Sequence, residues 1–255
     1  MNYKDPKNKE ALRKFKTQTL SELDAILTKG IDADSSNDYK KAALISYWLR
    51  DFNKYLNWES SFDSKQLKRY ERGDVIKVNF GFNVGNEQGG LHYAIVIDAK
   101  NAVNSGNITV IPLSSKKKGK EIHPNDVDLQ DDLYAKLKIK CRDKSKHLKD
   151  ELSDSINVLE ALSNMDSSSE ELSPLLEKCE LKVQELQKEQ IAVNKIISEL
   201  DHMKKGSIAL VSQIRTVSKM RIFDPRTVHD VLSGIKISPH NLDLISDKLR
   251  ELYFL

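Results

Sequence analysis

The chain has 255 residues, enough for one or two domains, and 39% of them are hydrophobic while 31% are charged. A charged fraction above the usual quarter is typical of long exposed helices. The 41 basic and 38 acidic residues nearly balance, so the overall charge does not favour nucleic acid as a partner and any basic site must be local.

The cysteines and the apolar runs indicate the cellular compartment. Two cysteines, Cys141 and Cys179, are too few for a disulfide framework, which is typical of a reducing cytoplasm. The start of the chain, MNYKDPKNKE, lacks the apolar segment of a signal peptide. No apolar run approaches the roughly 18 residues of a membrane span. We therefore expect a soluble, cytoplasmic protein with no membrane partner.

Residues 7–60 are predicted to form two helices that pack as a hairpin or against the next part of the chain. Gly30 is a candidate C-cap of the first helix, and Ser35 or Ser36 is a candidate N-cap of the second. The apolar positions that recur at helical spacing are Leu12, Phe15, Leu20, Leu23, Ile26, Leu27, Ile45, Trp48, Leu49, Phe52 and Leu56.

Residues 72–129 have the pattern of short β-strands. Four β-branched runs, DVIKVNF, YAIVID, ITVIPLS and NDVDL, are bounded by Gly, Asn and Pro. They predict a small antiparallel sheet, and their spacing favours a compact barrel over a parallel α/β sheet. Five of the chain's ten glycines lie between Arg72 and Asp98. The backbone therefore needs most freedom at the first strand connection.

Residues 130–203 return to helical spacing and predict an antiparallel hairpin with arms of roughly 33 residues, about 50 Å long. The turn between the arms carries a predicted capping box of Ser168 and Glu171, with Pro174 in the first turn of the second arm. The first arm is striped by Leu148, Leu152, Leu159 and Leu162. The second arm follows an a/d heptad of Leu172, Leu176, Cys179, Val183, Leu186, Gln190, Val193, Ile197 and Leu200.

The same hairpin geometry keeps the two cysteines apart. Antiparallel pairing sets Cys141 and Cys179 about 18 Å from each other along the axis. That separation is too large for a disulfide, so we expect both thiols to be reduced.

β character returns at Gly206, where GSIALVSQIRTVSKMRI alternates well enough for one or two strands. Ser238 and Pro239 begin a last helix with Leu242, Ile245, Leu249 and Leu252 on one face. The predicted class is therefore α+β. We expect four segments: an N-terminal helical region at 1–69, a first barrel part at 70–129, an inserted helical hairpin at 130–204, and a second barrel part with the C-terminal helix at 205–255.

Three stretches in order, RGDVIKVNFGFNVGNEQGGLHYAIVI, TVIPLSS and GSIALVSQIRTVSKMRI, resemble the PemK/MazF family of toxins from toxin–antitoxin systems. The family pattern is R-G-D, then G-x-E-x-G-G-x-R-P with an apolar strand, a strand ending in Thr or Ser, and later Q-I-R-T-I. The resemblance implies an SH3-like antiparallel barrel with a C-terminal helix, usually a homodimer. It also implies a sequence-specific endoribonuclease that cuts single-stranded RNA, typically mRNA, without a metal or other cofactor, and an antitoxin that blocks the RNA groove.

The resemblance points to candidate catalytic residues. Metal-free cleavage needs a base for the 2'-OH, an acid for the leaving 5'-oxygen and donors for the charged phosphorane. The family's Arg position is His92 here, followed by Tyr93 instead of Pro, and the Thr or Ser position is Ser114. Since His can transfer protons near neutral pH whereas Arg only stabilises charge, we expect His92 to transfer the proton and Ser114 to bond the scissile phosphate. Glu87 matches the family's acidic residue and is expected to orient the loop or assist proton transfer.

Candidate RNA-binding residues flank these positions. Amides on the Gly-rich loop can read base edges, basic residues after the Ser114 strand attract phosphate, and strand alternation puts the polar residues of SQIRT on one face. These candidates are Asn83, Gln88, Ser115, Lys116, Lys117, Gln213 and Arg215. The structural alternatives are a solvated loop carboxylate for Glu87, ordinary turn chemistry for Asn83, a solvated lysine loop after Ser114, and a buried interface salt bridge for Arg215. The remaining histidines show no metal-ligand spacing, so no metal site is predicted.

Two alternatives concern the function as a whole. His92 could be a strand-edge histidine of a barrel that no longer cuts RNA. Such a barrel is similar to the gyrase-poisoning toxins of this fold, which bind a protein target instead. The helical hairpin could be a dimerisation arm, a tethered regulator, or an intramolecular hairpin that satisfies itself.

Overall fold

The computed structural model describes residues 2, 4–163 and 172–254, without the side chains of residues 161–163 and 172. The chain divides into two compact units, which are Met1–Phe62 with Phe80–Gly90, and Asp63–Asn79 with Leu91–Leu255. The predicted capping box of Ser168 and Glu171 lies outside the described residues, as do the side chains of Leu162 and Leu172.

The first unit contains two helices, α1 at Lys9–Ile31 and α2 at Ser36–Trp58. The Ser35 hydroxyl accepts a hydrogen bond of 3.4 Å from a backbone N–H three residues on, so Ser35 is the N-cap of α2. The prediction that Gly30 caps α1 is wrong, because the helix continues past it. Gly30 instead lies where the two helices approach, and a Cβ there would be 3.0 Å from the Cβ of Ala42.

Helices α1 and α2 leave most of their apolar side chains exposed. Ala42 is the one buried residue of the pair. The exposed apolar side chains include Leu12, Phe15, Leu20, Ile26, Tyr47, Phe52 and Leu56. The predicted apolar stripes are therefore present, but the contact between the two helices does not cover them.

The second unit contains a seven-stranded antiparallel sheet. Its strands are β1 at Val75–Asn79, β2 at Leu91–Val96, β3 at Asn107–Ser115, β4 at Val127–Asp128, β5 at Ser207–Ala209, β6 at Arg215–Ser218 and β7 at Ile222–Asp224. The strand order is β4-β5-β3-β2-β1-β7, and β6 also pairs with β3. The first part of β3 pairs with β6 and its last three residues pair with β5, so the sheet changes partner along this strand. The expected α+β class with a small antiparallel barrel is confirmed.

The segment after Gly206 forms three short strands, where the sequence predicts one or two. Single turns of 3-10 helix at Val211–Gln213 and Lys219–Arg221 separate β5, β6 and β7. At the second break, the Ser218 hydroxyl accepts a hydrogen bond of 3.3 Å from the backbone N–H of Met220. Such hydrogen bonds between a side chain and the nearby backbone compete with the hydrogen bonds between strands. The apolar alternation of the sequence does not reveal this competition.

The main core lies between one face of the sheet and three helices, α3 at Asp132–Ser163, α4 at Leu172–His202 and α5 at Pro239–Tyr253. Its fully buried members from the sheet and the helices include Val75, Ile95, Ile111, Leu133, Leu137, Ile196 and Ile245. The hairpin helices therefore contribute to the same core as the strands at the end where they leave the sheet. The predicted start of the last helix is confirmed, since the Ser238 side chain caps α5.

Helices α3 and α4 form the predicted hairpin, but their line of contact differs from the predicted heptad. Cys179, Leu186 and Val193 lie on it as expected, together with Ile196. The predicted members Leu176, Val183 and Ile197 are 47%, 43% and 42% exposed. The contact line instead passes through Lys182, which forms an ion pair with Glu151 of the other arm. Both cysteines are free thiols, as expected.

The hairpin leaves and re-enters the sheet at one point. The backbone N–H of Ser207 donates to the carbonyl of Gln130 at 2.7 Å, and the N–H of Leu129 donates to the carbonyl of Ser207 at 2.9 Å. Gln130 and Gly206 both have positive φ, 53° and 82°, which turns the chain sharply at each end of the hairpin. The sheet therefore closes across the base of the hairpin.

Asp132 connects the start of α3 to the start of α5. Its Oδ2 accepts hydrogen bonds from the Ser238 backbone N–H at 2.8 Å and from the Asn241 amide at 2.9 Å. Burial acts to raise the pKa of Asp132, but these hydrogen bonds outweigh burial and the pKa is lowered from its ordinary value. The ionised carboxylate therefore stabilises the folded state.

Because the folded-state pKa of Asp132 is lowered, its contribution is present above a pH of about 4 and is lost as the pH falls through the folded pKa. We expect Asp132→Asn to reduce the free energy of unfolding by about 1 kcal/mol at pH 7. The difference from the native protein should shrink at pH 3. Urea unfolding at both pH values measures it, with the exposed neighbour Asp131→Asn as control. An equal loss in both variants would contradict this role.

Candidate functional site

The Gly-rich connection between β1 and β2 is a loop with a narrow neck. The Gly90 N–H donates to the Gly81 carbonyl at 2.6 Å, and the Phe80 N–H donates to the Gly90 carbonyl at 2.8 Å. A Cβ on Gly89 would lie 2.7 Å from the Gly81 carbonyl oxygen. Only glycine fits at position 89 without moving this backbone, which explains part of the glycine concentration seen in the sequence.

The loop also packs against α2 within the first unit. Gly81 has a φ of 81°, and a Cβ on it would lie 2.7 Å from the ring of Trp48. Trp48 in turn contacts the rings of Phe52 and Tyr55, with centroids 5.9 and 6.1 Å apart. Helical spacing places Trp48 in the apolar stripe of α2, but nothing in the sequence links it to the loop.

Three predicted site residues lie on this loop. The Asn83 side-chain N–H donates to the Gln88 carbonyl at 2.7 Å, so its amide nitrogen is used in the turn, as the structural alternative supposed. Glu87 is exposed and its backbone N–H closes a turn onto the Val84 carbonyl at 3.3 Å. The loop therefore presents a carboxylate to solvent and holds Gln88 half-buried.

His92 and Ser114 lie on one face of the sheet. Strand β2 pairs with β3 through Ala94 opposite Pro112. His92 precedes Ala94 by two positions and Ser114 follows Pro112 by two, so alternation puts both on the face of that pair. Both side chains are partly accessible. The register thus brings the two predicted catalytic residues to neighbouring strands and the same side.

Arg215 of β6 lies on the same face of the sheet as Ser114, opposite an earlier part of β3. It is opposite Val110, which is four residues before Ser114 on β3, a distance of about 13 Å along a strand. The predicted alternation of Gln213 and Arg215 is wrong, because Gln213 ends a 3-10 turn. The turn nevertheless brings the two side chains together, since an Arg215 guanidinium N–H donates to Gln213 Oε1 at 3.4 Å.

The lysines that follow β3 differ in how available they are to a ligand. Lys116 forms an ion pair of 2.5 Å with Asp128 of β4. Burial acts to raise the pKa of Asp128, but the hydrogen bond from Lys116 contributes to a net lowering. Ser115 is opposite Ser207 in the ladder with β5, and Lys117 is exposed beyond it. Lys117 is therefore better placed than Lys116 to bind a ligand.

Tyr93 holds β2 against α4 from the opposite face of the sheet. Its hydroxyl donates to Glu199, and Lys77 on the neighbouring strand forms an ion pair of 2.6 Å with the same carboxylate. Burial and the hydrogen bond to Glu199 raise the pKa of Tyr93 above its ordinary value. Sequence reasoning identified Tyr93 only as a departure from Pro, yet it fixes the strand that carries His92.

Gly89→Ala should disrupt the neck of the loop. The added methyl group meets a backbone oxygen that cannot move without breaking its hydrogen bond to Gly90, so we expect a loss of about 1–3 kcal/mol in unfolding free energy. Gly106→Ala is a matched control, because a Cβ there meets nothing within 4 Å. Chemical denaturation of both variants measures the effect, and equal stability would show that the neck does not constrain position 89.

Comparison with known proteins connects this arrangement to a family. Residues 71–154 match the PemK-like, MazF-like toxins of type II toxin–antitoxin systems. The matched segment contains the Gly-rich loop, His92 and Ser114, but not Gln213 and Arg215. No curated protein matches the chain. Among the described residues, no helix has both the length and the apolar character that crossing a membrane requires. The motifs, the antiparallel barrel and the match together identify residues 71–154, about a third of the chain, as similar to the PemK-like, MazF-like toxins of type II toxin–antitoxin systems.

Proposed function

We propose that the protein is an endoribonuclease toxin that acts in the cytoplasm and cleaves single-stranded RNA without a metal ion or other cofactor. The observation that supports this best is the common face of His92 and Ser114, each two positions beyond the pair of Ala94 and Pro112. The family match covers both residues. Arg215 on the same face supplies a cation for a phosphate.

In the proposed reaction, His92 takes the proton of the 2'-hydroxyl while that oxygen attacks the adjacent phosphorus. The bond from phosphorus to the 5'-oxygen breaks, this oxygen takes a proton from water as it leaves, and the protonated His92 returns its proton to the solvent. Ser114 donates a hydrogen bond to the scissile phosphate, while Arg215, about 13 Å away along the strand, binds another phosphate of the same RNA. The products are a 2',3'-cyclic phosphate and a 5'-hydroxyl. Glu87 orients the loop or assists the proton transfer.

The remaining predicted residues are proposed to hold the RNA. Gln88 and Asn83 would contact bases from the loop, where the Asn83 amide oxygen is the atom its turn bond leaves available. Lys117 and Ser115 would contact the backbone after β3. Gln213 would contact it beside Arg215, and Lys116 could do so only by exchanging its ion pair with Asp128.

We further propose that residues 70–129 and 205–255 form one barrel domain into which the hairpin of residues 130–204 is inserted. The hydrogen bond between Ser207 and Gln130 supports this, because insertions occur where chain ends lie close together. The N-terminal region at 1–69 is proposed as a separate addition, although the Gly-rich loop groups with α1 and α2 in one compact unit.

We propose that the protein has an antitoxin as its partner, which the match to type II toxins supports, and that it also forms a homodimer through the hairpin. The shifted contact line leaves Leu176, Val183 and Ile197 uncovered. Charge also separates along α3, since residues 132–149 contain seven Lys or Arg and two Asp, whereas residues 150–163 contain four Asp or Glu and no cation. A second copy lying antiparallel would bring the acidic end of one α3 to the basic end of the other.

Cleavage should depend on His92. Because general acid–base catalysis contributes about 10²–10⁴-fold, we expect His92→Ala to slow cleavage of single-stranded RNA by that factor in buffer containing EDTA. His147→Ala, on an exposed face of the hairpin, is the control. Mapping the 5' ends of a mixed RNA measures cleavage. The alternative of a non-catalytic barrel, which the loss of the family Arg favours, would be supported by intact RNA with the native protein and trapped gyrase–DNA complexes.

The dimer should depend on the uncovered side chains of α4. Leu176→Gln with Val183→Gln removes two apolar contacts that the hairpin itself does not bury, so the free energy of unfolding of the monomer should change little while the dimer weakens. Light scattering across a concentration series measures the mass. Gln184→Ala with Gln187→Ala, at exposed positions of the same helix, is the control. An unchanged mass in the Leu176 and Val183 variant would contradict dimerisation through this face.

A further inference from the structure

We propose that a groove at the base of the hairpin binds the phosphate backbone of single-stranded RNA as a second site, separate from the cleavage face. The proposal rests on the proposed ribonuclease function for its ligand. The groove encloses about 650 Å³ between α3, α4 and the edge strand β7. Its lysines are Lys77, Lys140, Lys144, Lys188 and Lys195.

Three of these lysines are available to a ligand. Lys144, Lys188 and Lys195 are exposed and have no ion-pair partner among the described residues. Lys188 and Lys195 are two turns apart on α4, about 10 Å, so they can contact successive parts of an extended chain. Lys140 is not available, because its ammonium donates to the carbonyls of residues 230, 231 and 233 at 3.2, 2.8 and 2.6 Å.

The carboxylates that face the groove are already occupied. Glu199 is bound by Lys77 and Tyr93. Asp224 accepts backbone N–H bonds from residues 231 and 232 at 3.2 and 2.7 Å. Asp230 accepts two more at 2.7 Å from residues 226 and 227. These backbone bonds do not remove the carboxylate charges, but five lysines against three carboxylates leave the groove with a net charge of +2.

An aromatic ring distinguishes the groove from a plain basic surface. Phe223 of β7 lines it and is 64% exposed, and Ile191 between the two α4 lysines is 55% exposed. A basic groove with an accessible aromatic ring is the arrangement that holds single-stranded nucleic acid, through phosphate attraction and base stacking. An acidic protein segment would use the lysines but gain no stacking on Phe223.

The groove lies across the sheet from the cleavage residues. Lys77 is opposite both Tyr93 and Asp224, whereas His92 is opposite Val78, the next residue along β1. Successive residues of a regular strand point to opposite faces. The pairing of β1 with β7 is irregular at this point, and both Phe223 and Asp224 line the groove. RNA that occupies the groove therefore does not occupy the His92 face with the same nucleotides, and the groove acts only on substrates long enough to reach both.

The first test measures binding without cleavage. The probe is a 2'-O-methyl RNA of about 20 nucleotides, longer than the roughly 4–16 that one binding module covers. We expect the triple variant Lys144→Gln, Lys188→Gln, Lys195→Gln to bind about 100-fold more weakly at about 0.1 M salt, with a salt slope smaller by about 2. The control Lys138→Gln, Lys146→Gln, Lys178→Gln removes equal charge from the same helices outside the groove. Equal affinity of the two triple variants would overturn the proposal.

A second variant separates RNA from an acidic protein partner. Phe223→Leu keeps apolar bulk but removes the ring, so we expect about tenfold weaker binding of the RNA probe, from the loss of one stacked base. Binding of poly-glutamate should not change. If poly-glutamate binds as tightly as RNA and Phe223→Leu affects neither, the groove takes an acidic protein segment and the RNA proposal is wrong.

RNA cleavage and RNA binding in the groove can be disproved by different results. In the triple groove variant, we expect cleavage of a hexanucleotide at the native rate and a reduced rate on the long RNA at limiting concentration. A native protein that cleaves no RNA would overturn the ribonuclease function while leaving the binding comparison readable. Reduced cleavage of the hexanucleotide to the same extent as the long RNA would overturn the groove as a separate site.

Discussion

The backbone contact between Ser207 and Gln130 is the constraint on which the second unit depends. Two hydrogen bonds of 2.7 and 2.9 Å join the chain just before α3 to the chain just after α4. Strand β5 can therefore pair with both β3 and β4, although more than seventy residues separate β4 from β5 along the chain. Closing so long a loop is costly when the loop is flexible, but a helical hairpin returns its own ends to one place.

The hairpin also contributes to the sheet from which it emerges. Leu133, Leu137 and Ile196 lie in the core with the strands, and Glu199 binds Tyr93 of the strand that carries His92. Tyr93 stands where the family pattern has Pro, a residue with no side-chain donor. Position 93 therefore departs from the family pattern, and its side chain contacts Glu199, which lies outside the segment that matches the family. We infer that the change beside His92 accompanies the hairpin, because Tyr93 donates to the carboxylate of Glu199 on α4 and a Pro at this position could not.

Sequence patterns predicted the individual helices and strands better than they predicted which elements contact one another. Period and turn residues located α1 to α5 and the first four strands, because each depends on local spacing. The line of contact between α3 and α4 was not predictable, since two heptad choices share Cys179, Leu186 and Val193. The choice depends on whether Lys182 can pair with Glu151, which is a contact between distant residues. The division of the segment after Gly206 into β5, β6 and β7 was not predicted either. The apolar alternation there does not reveal the local hydrogen bond that Ser218 accepts from the backbone N–H of Met220.

The candidate site shows the same limit. Motif order brought His92 and Ser114 to attention, and the register supplies their common face. Nothing in the sequence linked Trp48 to Gly81, or the α4 lysines to Phe223, because these contacts join elements far apart in the chain. The proposed insertion of the hairpin into a small barrel would create such surfaces where the helices meet the strands. The groove over β7 is one of them, with lysines from α3 and α4 and an aromatic ring from the barrel. A site of this kind can differ between proteins that share the barrel, because it needs the insertion as much as the strands.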